Sequence, residues 1–239
     1  MFFVIATPAR TFSSLVANIM HNSGIPMNLP GTPMNKPDYA NIHGFYEAGW
    51  AINLNEHILG ELGHSGTMNM GKPPNIDAVR RMVGTKTQTL IFDSVRYVHG
   101  QMHETKVKDF GVKDNRICYL APLWFAPLLA FEARLITVQR PEQDTVASIM
   151  DTWPEAFFWR EDALTAYREA KGRIEAMMAS WPFPTHHVNG DALFDDTDSE
   201  LARLSDFLGR SLRSDAVDPS GRHHKALDMA APREYNGTV

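Results

Sequence analysis

The 239 residues contain one cysteine, Cys118, which excludes an internal disulfide framework. No apolar stretch approaches the ~18–20 residues of a membrane-spanning helix. The N-terminal run Met1-Phe-Phe-Val-Ile-Ala-Thr-Pro8 has neither the basic flank nor the apolar length of a secretory signal. A cytoplasmic protein is therefore expected. Positive charge is not in excess: the formal net charge is −5. That balance gives no global attraction to nucleic acid or an anionic membrane, so neither is expected as a partner, and an anionic ligand needs a local cation cluster. No spacing of cysteines and histidines resembles a zinc site, and no metal is expected. The pairs His186-His187 and His223-His224 are adjacent, so on a strand each pair would face opposite ways, which suits structural or surface roles. Repeats and low-complexity tracts are also missing.

What is present reads as an ordinary globular chain, with 44% hydrophobic and 21% charged residues. One α/β domain over 1–239 is expected, with 24–47 and 63–88 as loops and 210–239 as a polar tail. Phe2–Ala6 reads as a buried strand, and Ser13–Ser23 as a helix stopped by Gly24. A helix over Ala48–Leu62 would turn Ile52, His57, Ile58 and Leu62 inward. Thr89–Phe92, Arg116–Leu120 and Arg134–Gln139 are the next candidate strands. Asp144–Thr152 and Glu161–Trp181 read as helices, the latter with an inward stripe of Leu164, Tyr167, Lys171, Ile174, Met178 and Trp181. His186–Val188 reads as an edge strand and Asp198–Gly209 as a last helix. This alternation implies a mainly parallel central sheet flanked by helices in three layers, with ligands at the carboxyl ends of the strands.

Two segments fall just after expected strands. In Thr7-Pro-Ala-Arg-Thr-Phe-Ser-Ser-Leu15 a strand turns directly into a helix, which aims backbone N–H groups and the positive helix end at one point. Arg10 adds a two-pronged grip on an oxyanion, and Thr11, Ser13 and Ser14 add hydroxyls. The glycines and lysine of a Walker loop are missing. In Arg140-Pro-Glu-Gln-Asp-Thr-Val-Ala-Ser148, Arg140 ends a strand and Ser148 lies about two turns along the next helix. Both can face a second phosphate.

Together these segments resemble the sulfotransferases that use 3′-phosphoadenosine-5′-phosphosulfate (PAPS). Arg10-Thr-Phe-Ser-Ser14 is similar to that family's [Arg/Lys]-Ser-Gly-[Thr/Ser]-[Thr/Ser] phosphosulfate turn, with Phe12 where glycine is usual. Arg140, Asp144 and Ser148 resemble its Arg-x-Pro-x-Asp-x-x-x-Ser element for the 3′-phosphate, the proline displaced to Pro141. Asn41-Ile-His-Gly-Phe-Tyr-Glu47 with Asn53-Leu-Asn55, Val112-Lys-Asp-Asn-Arg-Ile-Cys118, Pro122-Leu-Trp124, Ser199–Gly209 and Val217-Asp-Pro-Ser-Gly-Arg-His-His224 resemble further segments of small bacterial-type members, in the same order.

The resemblance implies a P-loop-NTPase-like sulfotransferase fold and transfer of a sulfuryl group from PAPS to a hydroxyl or amine, with PAP as product and no catalytic metal. The acceptor would be a small molecule or a glycan- or lipid-like compound, reached through 24–47 and 63–88, where Met68 and Met70 either line an acceptor pocket or sit in an exposed linker. The implied site has Glu47 as base and Arg10 and Lys113 as charge stabilisers. Thr11, Phe12, Ser13, Ser14, Arg140, Ser148 and Arg222 join Arg10 in holding the nucleotide, with His223 close by. Lys113 and Arg116 are alternatively salt-bridge partners of Asp109 or Asp114. Phe12 sets a condition on all this. A turn that needs φ > 0 there would be resisted by a phenylalanine, leaving a degraded nucleotide or anion binder on the same scaffold. A P-loop-like kinase is the remaining alternative, with Asp93 after Thr89–Phe92 as its acid.

Overall fold

The computed structural model describes residues 1–29, 44–64, 73–153, 160–212 and Val217. Four strands, β1 (Phe2–Ile5), β2 (Phe110–Lys113), β3 (Arg134–Gln139) and β4 (Thr185–Asn189), form a wholly parallel sheet in the order β2-β1-β3-β4. The register sets Phe2 beside Phe110, Phe3 beside Arg134 and Ile136 beside His186. Central β1 has every side chain buried, as a strand covered on both faces must.

Side chains alternate across a strand, so Phe2 and Val4 enter one core while Phe3 and Ile5 enter the other. The first core is closed by α2 (Gly49–Glu61), α3 (Ile76–Arg81), α4 (Lys86–Glu104), α5 (Ala121–Ala130) and α7 (Arg160–Ala179), through residues such as Ile58, Ile91, Val95, Trp124 and Ile174. The second is closed by α1 (Ser13–Asn22), α8 (Ala192–Asp195) and α9 (Thr197–Leu208), through Val16, Ile19, Met20, Leu193, Leu201 and Leu204. A smaller cluster of Val146, Ile149, Ala163, Ala166 and Tyr167 joins α6 (Glu142–Thr152) to α7. The three-layer α/β sandwich expected from the alternation of elements is the observed architecture. Fully burying each large apolar side chain contributes roughly 1.5–3 kcal/mol, so these faces dominate the packing energy.

Several local expectations are corrected. Thr89–Phe92 is not a strand but the second turn of α4, whose buried Thr87, Ile91, Val95, Val98 and Met102 recur at helical spacing. The strand expected at Arg116–Leu120 lies earlier, at β2. The segment Asn115–Cys118 is a 3-10 turn capped by the Asp114 carboxylate, which accepts the Arg116 N–H at 2.9 Å. In α2 the inward residues are Ala51, Asn55, Ile58 and Leu59, while His57 faces solvent. In α7 they are Ala163, Ala166, Tyr167, Ala170, Ile174 and Met177, so small alanines fill the stripe beside the larger residues. The stretch 63–88 contains α3 and the start of α4 rather than loop alone. At the head of the polar tail, Arg210 is anchored to Asp109 at 2.8 Å and to the Gly24 carbonyl at 2.7 Å. Residues Met68, Met70, Arg222, His223 and His224 lie outside the described residues.

Candidate functional site

All four strands run the same way, so their carboxyl ends share one edge of the sheet. There β1 leads into the turn before α1, β2 into Lys113 and Asp114, β3 into Arg140 and α6, and β4 into Gly190 and Asp191. The turn is tied down first. Buried Thr7 donates its hydroxyl to the Val138 carbonyl at 2.8 Å, and Thr11 donates to the Pro8 carbonyl at 2.9 Å. Neither hydroxyl has to reach a ligand to matter.

Arg10 and Phe12 both lie in the left-handed region, at φ 63° and 68°. For residues with a Cβ this costs about 1–2 kcal/mol each, and such strain concentrates at functional sites. The turn therefore does require the conformation that a phenylalanine was expected to resist, and Phe12 adopts it. Its ring is held from two sides: the Arg140 guanidinium carbon lies 4.5 Å from the ring centroid, and Phe194 packs edge-on at 5.0 Å. Room for the ring comes from Gly190. A Cβ there would fall 2.9 Å from a Phe12 ring carbon and 3.0 Å from the Thr11 and Gln139 carbonyl oxygens. As the residue before α1, Phe12 has no side-chain acceptor with which to cap it. The Leu15 N–H bonds the Phe12 carbonyl at 3.0 Å, and no side-chain oxygen caps the N–H groups of Ser13 and Ser14.

The two expected anion grips meet. Arg10 donates from Nε to the Ser148 hydroxyl at 3.0 Å, and Arg140 donates to the Arg10 carbonyl at 3.5 Å. Arg140, 8% exposed, also stands 3.8 Å from the Asp191 carboxylate. Asp144 sits in the first turn of α6, where negative charge suits the helix end.

Glu47 and Lys113 form the other half of the site. The Lys113 ammonium donates to Glu47 Oε1 at 2.7 Å with both side chains buried, and reaches the Ser14 hydroxyl at 3.4 Å. The Ser13 hydroxyl lies 3.4 Å from Asn115 Oδ1. Glu47 is thus not a solvated residue at a helix start. Tyr46 before it is left-handed at φ 53°, which turns the chain inward. Asp114, fully buried, accepts from Arg116 Nη1 at 2.8 Å and from Asn55 Nδ2 at 2.9 Å. Asn55 in turn accepts the Trp124 indole N–H at 2.9 Å. Arg116 also pairs with Glu56 and comes within 3.8 Å of Glu47 Oε2. Burial alone would lower the pKa of Arg116, but the Asp114 and Glu47 carboxylates hold it above the ordinary arginine value. Of the salt bridges expected for this segment, Arg116 with Asp114 forms. Lys113 pairs with Glu47, while Asp109 binds the N-terminal ammonium and Arg210.

The segments holding Asn55, Asn115 and Trp124 were marked by resemblance, but their contacts were not legible there, and Gly190 and Asp191 gave no signal because their meaning is spatial. A groove of about 1250 Å³ runs between α3, α5 and α7, with Ile76, Ala121, Phe125, Glu169, Arg173 and Met177 among its lining. Asp93, the acid of the kinase alternative, lies on exposed α4 and pairs with Arg96 at 3.0 Å, away from the site. His186 stacks on Phe207 and His187 bonds Thr137, the structural roles expected of that pair. Among the described residues, no group of three or more His, Cys, Asp or Glu is placed to hold a metal ion. Among the same residues, no helix is long and apolar enough to cross a membrane.

No family model matches the sequence, and no curated protein does. Solved structures do: the chain is similar to the sulfotransferase domain from the curacin biosynthetic pathway, with a TM-score of 0.54 at 16% identity over 92% of this chain and 77% of that one. The parallel sheet and its flanking helices are therefore arranged in the P-loop-like fold of a sulfotransferase domain.

Proposed function

We propose that the protein is a sulfotransferase that moves a sulfuryl group from PAPS to a hydroxyl or amine acceptor. The observation that carries this reading is the convergence of Arg10, Arg140, Ser148 and Lys113 at the carboxyl edge of a fold shared with a sulfotransferase domain. The donor bears two anionic ends, and the residues fit both. Arg140, Ser148 and the side chain of Arg10 face a 3′-phosphate. The α1 N-terminus with Ser13, Ser14 and Lys113 faces the 5′-phosphosulfate.

Transfer requires stabilisation of charge growing on the leaving phosphate, which Lys113 and the fixed N–H groups of the turn supply without reorganising. Glu47 is the proton acceptor for the attacking group, since it is the carboxylate nearest to Lys113 and Ser14 in this arrangement. The groove lined in part by His64, Pro73, Asn75, Ile76 and Arg80 is the acceptor side in this reading.

Calorimetry with PAP, AMP and ATP–Mg²⁺ tests the donor assignment. PAP is expected to bind best, and Arg140→Ala to weaken it by roughly 10–150-fold, the value of a hydrogen bond to a charged group. Equal affinity for PAP and AMP would remove the 3′-phosphate assignment and the reading with it.

A further inference from the structure

One ammonium serves two sides of the site. Lys113 is 1% exposed, and its Nζ lies 2.7 Å from Glu47 Oε1 but 3.4 Å from the Ser14 hydroxyl in the first turn of α1. The first distance is that of a tight charge-assisted bond, and the second is at the long limit of a hydrogen bond. In this arrangement the lysine is committed to the carboxylate. Glu47 Oε1 is then covered by a cation and is poorly placed to take a proton from anything else. The other oxygen, Oε2, lies 3.8 Å from Arg116, which is fixed in turn by Asp114 and Glu56. Lys113 is thus the partner that can move, since its compact head and flexible stem need only swing toward Ser14.

We propose that the donor anion and Glu47 compete for Lys113, so that donor binding at the turn uncovers Glu47 Oε1 and makes it a base only in the donor-loaded protein. The inference rests on the sulfuryl-transfer reading and adds an order to it, donor before acceptor. In the step itself, the acceptor O–H or N–H gives its proton to Glu47 Oε1. The acceptor's electron pair forms the new bond to sulfur. The bond between sulfur and the bridging phosphate oxygen breaks, and its electron pair stays with PAP. Lys113 remains protonated throughout and faces the phosphate that gains charge.

Coupling between two ligands of one group is reciprocal, so weakening the hold of Glu47 must strengthen the hold on an anion at the turn. The test compares 3′-AMP, which has no 5′ anion, with PAP, which has one, by calorimetry on the full chain. Glu47→Gln keeps the shape of the side chain and removes its charge. Its preference for PAP over 3′-AMP is expected to rise about tenfold over that of the unaltered protein, within the usual span of site–site coupling. Glu47→Asp, which retains the charge but retracts it by one methylene, is expected to move the ratio the same way by less, and it covers the case in which Glu47→Gln does not fold. A ratio that stays constant or falls in the variants that fold overturns the competition. A wild-type protein that fails to prefer PAP over 5′-AMP removes the sulfotransferase reading instead, so the two failures are distinguishable.

Discussion

Arg10 and Ser148 come from opposite ends of the donor site in sequence terms, yet the Arg10 Nε–H donates to the Ser148 hydroxyl at 3.0 Å. The bond links the turn after β1 to the helix after β3, so the two side chains are held as one unit. In a double-mutant cycle of Arg10→Ala and Ser148→Ala, the losses in PAP affinity are expected to be non-additive, with a coupling of about 0.5–3 kcal/mol. Calorimetry on the two single variants and the double variant measures it, and strict additivity would separate the two grips.

Phe12 and Gly190 set up a second cycle. Phe12→Gly relieves about 1–2 kcal/mol of left-handed strain but removes the ring that packs on Arg140 and Phe194. The lost contacts outweigh the relief, and the variant is expected to be about 1 kcal/mol less stable in urea titrations. Gly190→Ala drives a methyl into the ring and two carbonyls, which is expected to cost about 1–3 kcal/mol as overpacking. Combining the two restores only part of that loss, because the Thr11 and Gln139 oxygens still oppose the methyl.

Asp114 is the keystone of the buried polar network. Asp114→Ala leaves the Arg116 guanidinium without its most deeply buried carboxylate partner and Asn55 without its acceptor. Breaking a buried pair on one side typically costs about 3–5 kcal/mol, so the denaturation midpoint should fall steeply. Asp93→Ala, which removes the exposed pair with Arg96 on α4, is expected to change stability by less than about 1 kcal/mol.

His186 gives the fold a pH dependence. Burial against Phe207 lowers its pKa, and its Nε2 has no hydrogen-bond partner among the described residues. The unfolded chain therefore takes up this proton first as pH falls. The stability contribution is complete above the unfolded value of about 6.5 and is lost as pH drops from there through the lower folded value. Urea midpoints measured from pH 8 to pH 5 should show the loss, and His186→Phe, which keeps the stack, should reduce it, with His21 and His99, also lowered by burial, supplying the remainder.

The fold was legible where burial and local preference agree. β1 and β3 are runs of β formers, and α1, α6 and α9 carry clear starts or stops, including left-handed Gly209 after α9. Thr89-Leu-Ile-Phe92 misled because four β-favouring residues hide a helical repeat that shows only over α4 as a whole. β2 was missed because Phe-Gly-Val-Lys is short, contains glycine and, buried on both faces, shows no alternation. At the site, Arg10, Glu47, Lys113, Arg140 and Ser148 were legible as chemistry. Their pairing was not, because a contact such as Glu47 to Lys113 depends on the segment before α2 meeting the end of β2.

The parallel sheet has a consequence for how the chain comes to be folded. β1 precedes its partners by a long stretch of chain, since they begin at Phe110 and Arg134, and β3 in turn waits for Thr185. Every sheet pairing closes a long loop, which slows folding relative to a chain of local hairpins. During synthesis Phe2-Phe-Val-Ile5 emerges as an apolar segment with no strand to accept it, and it stays a target for chaperones or aggregation until most of the chain has followed.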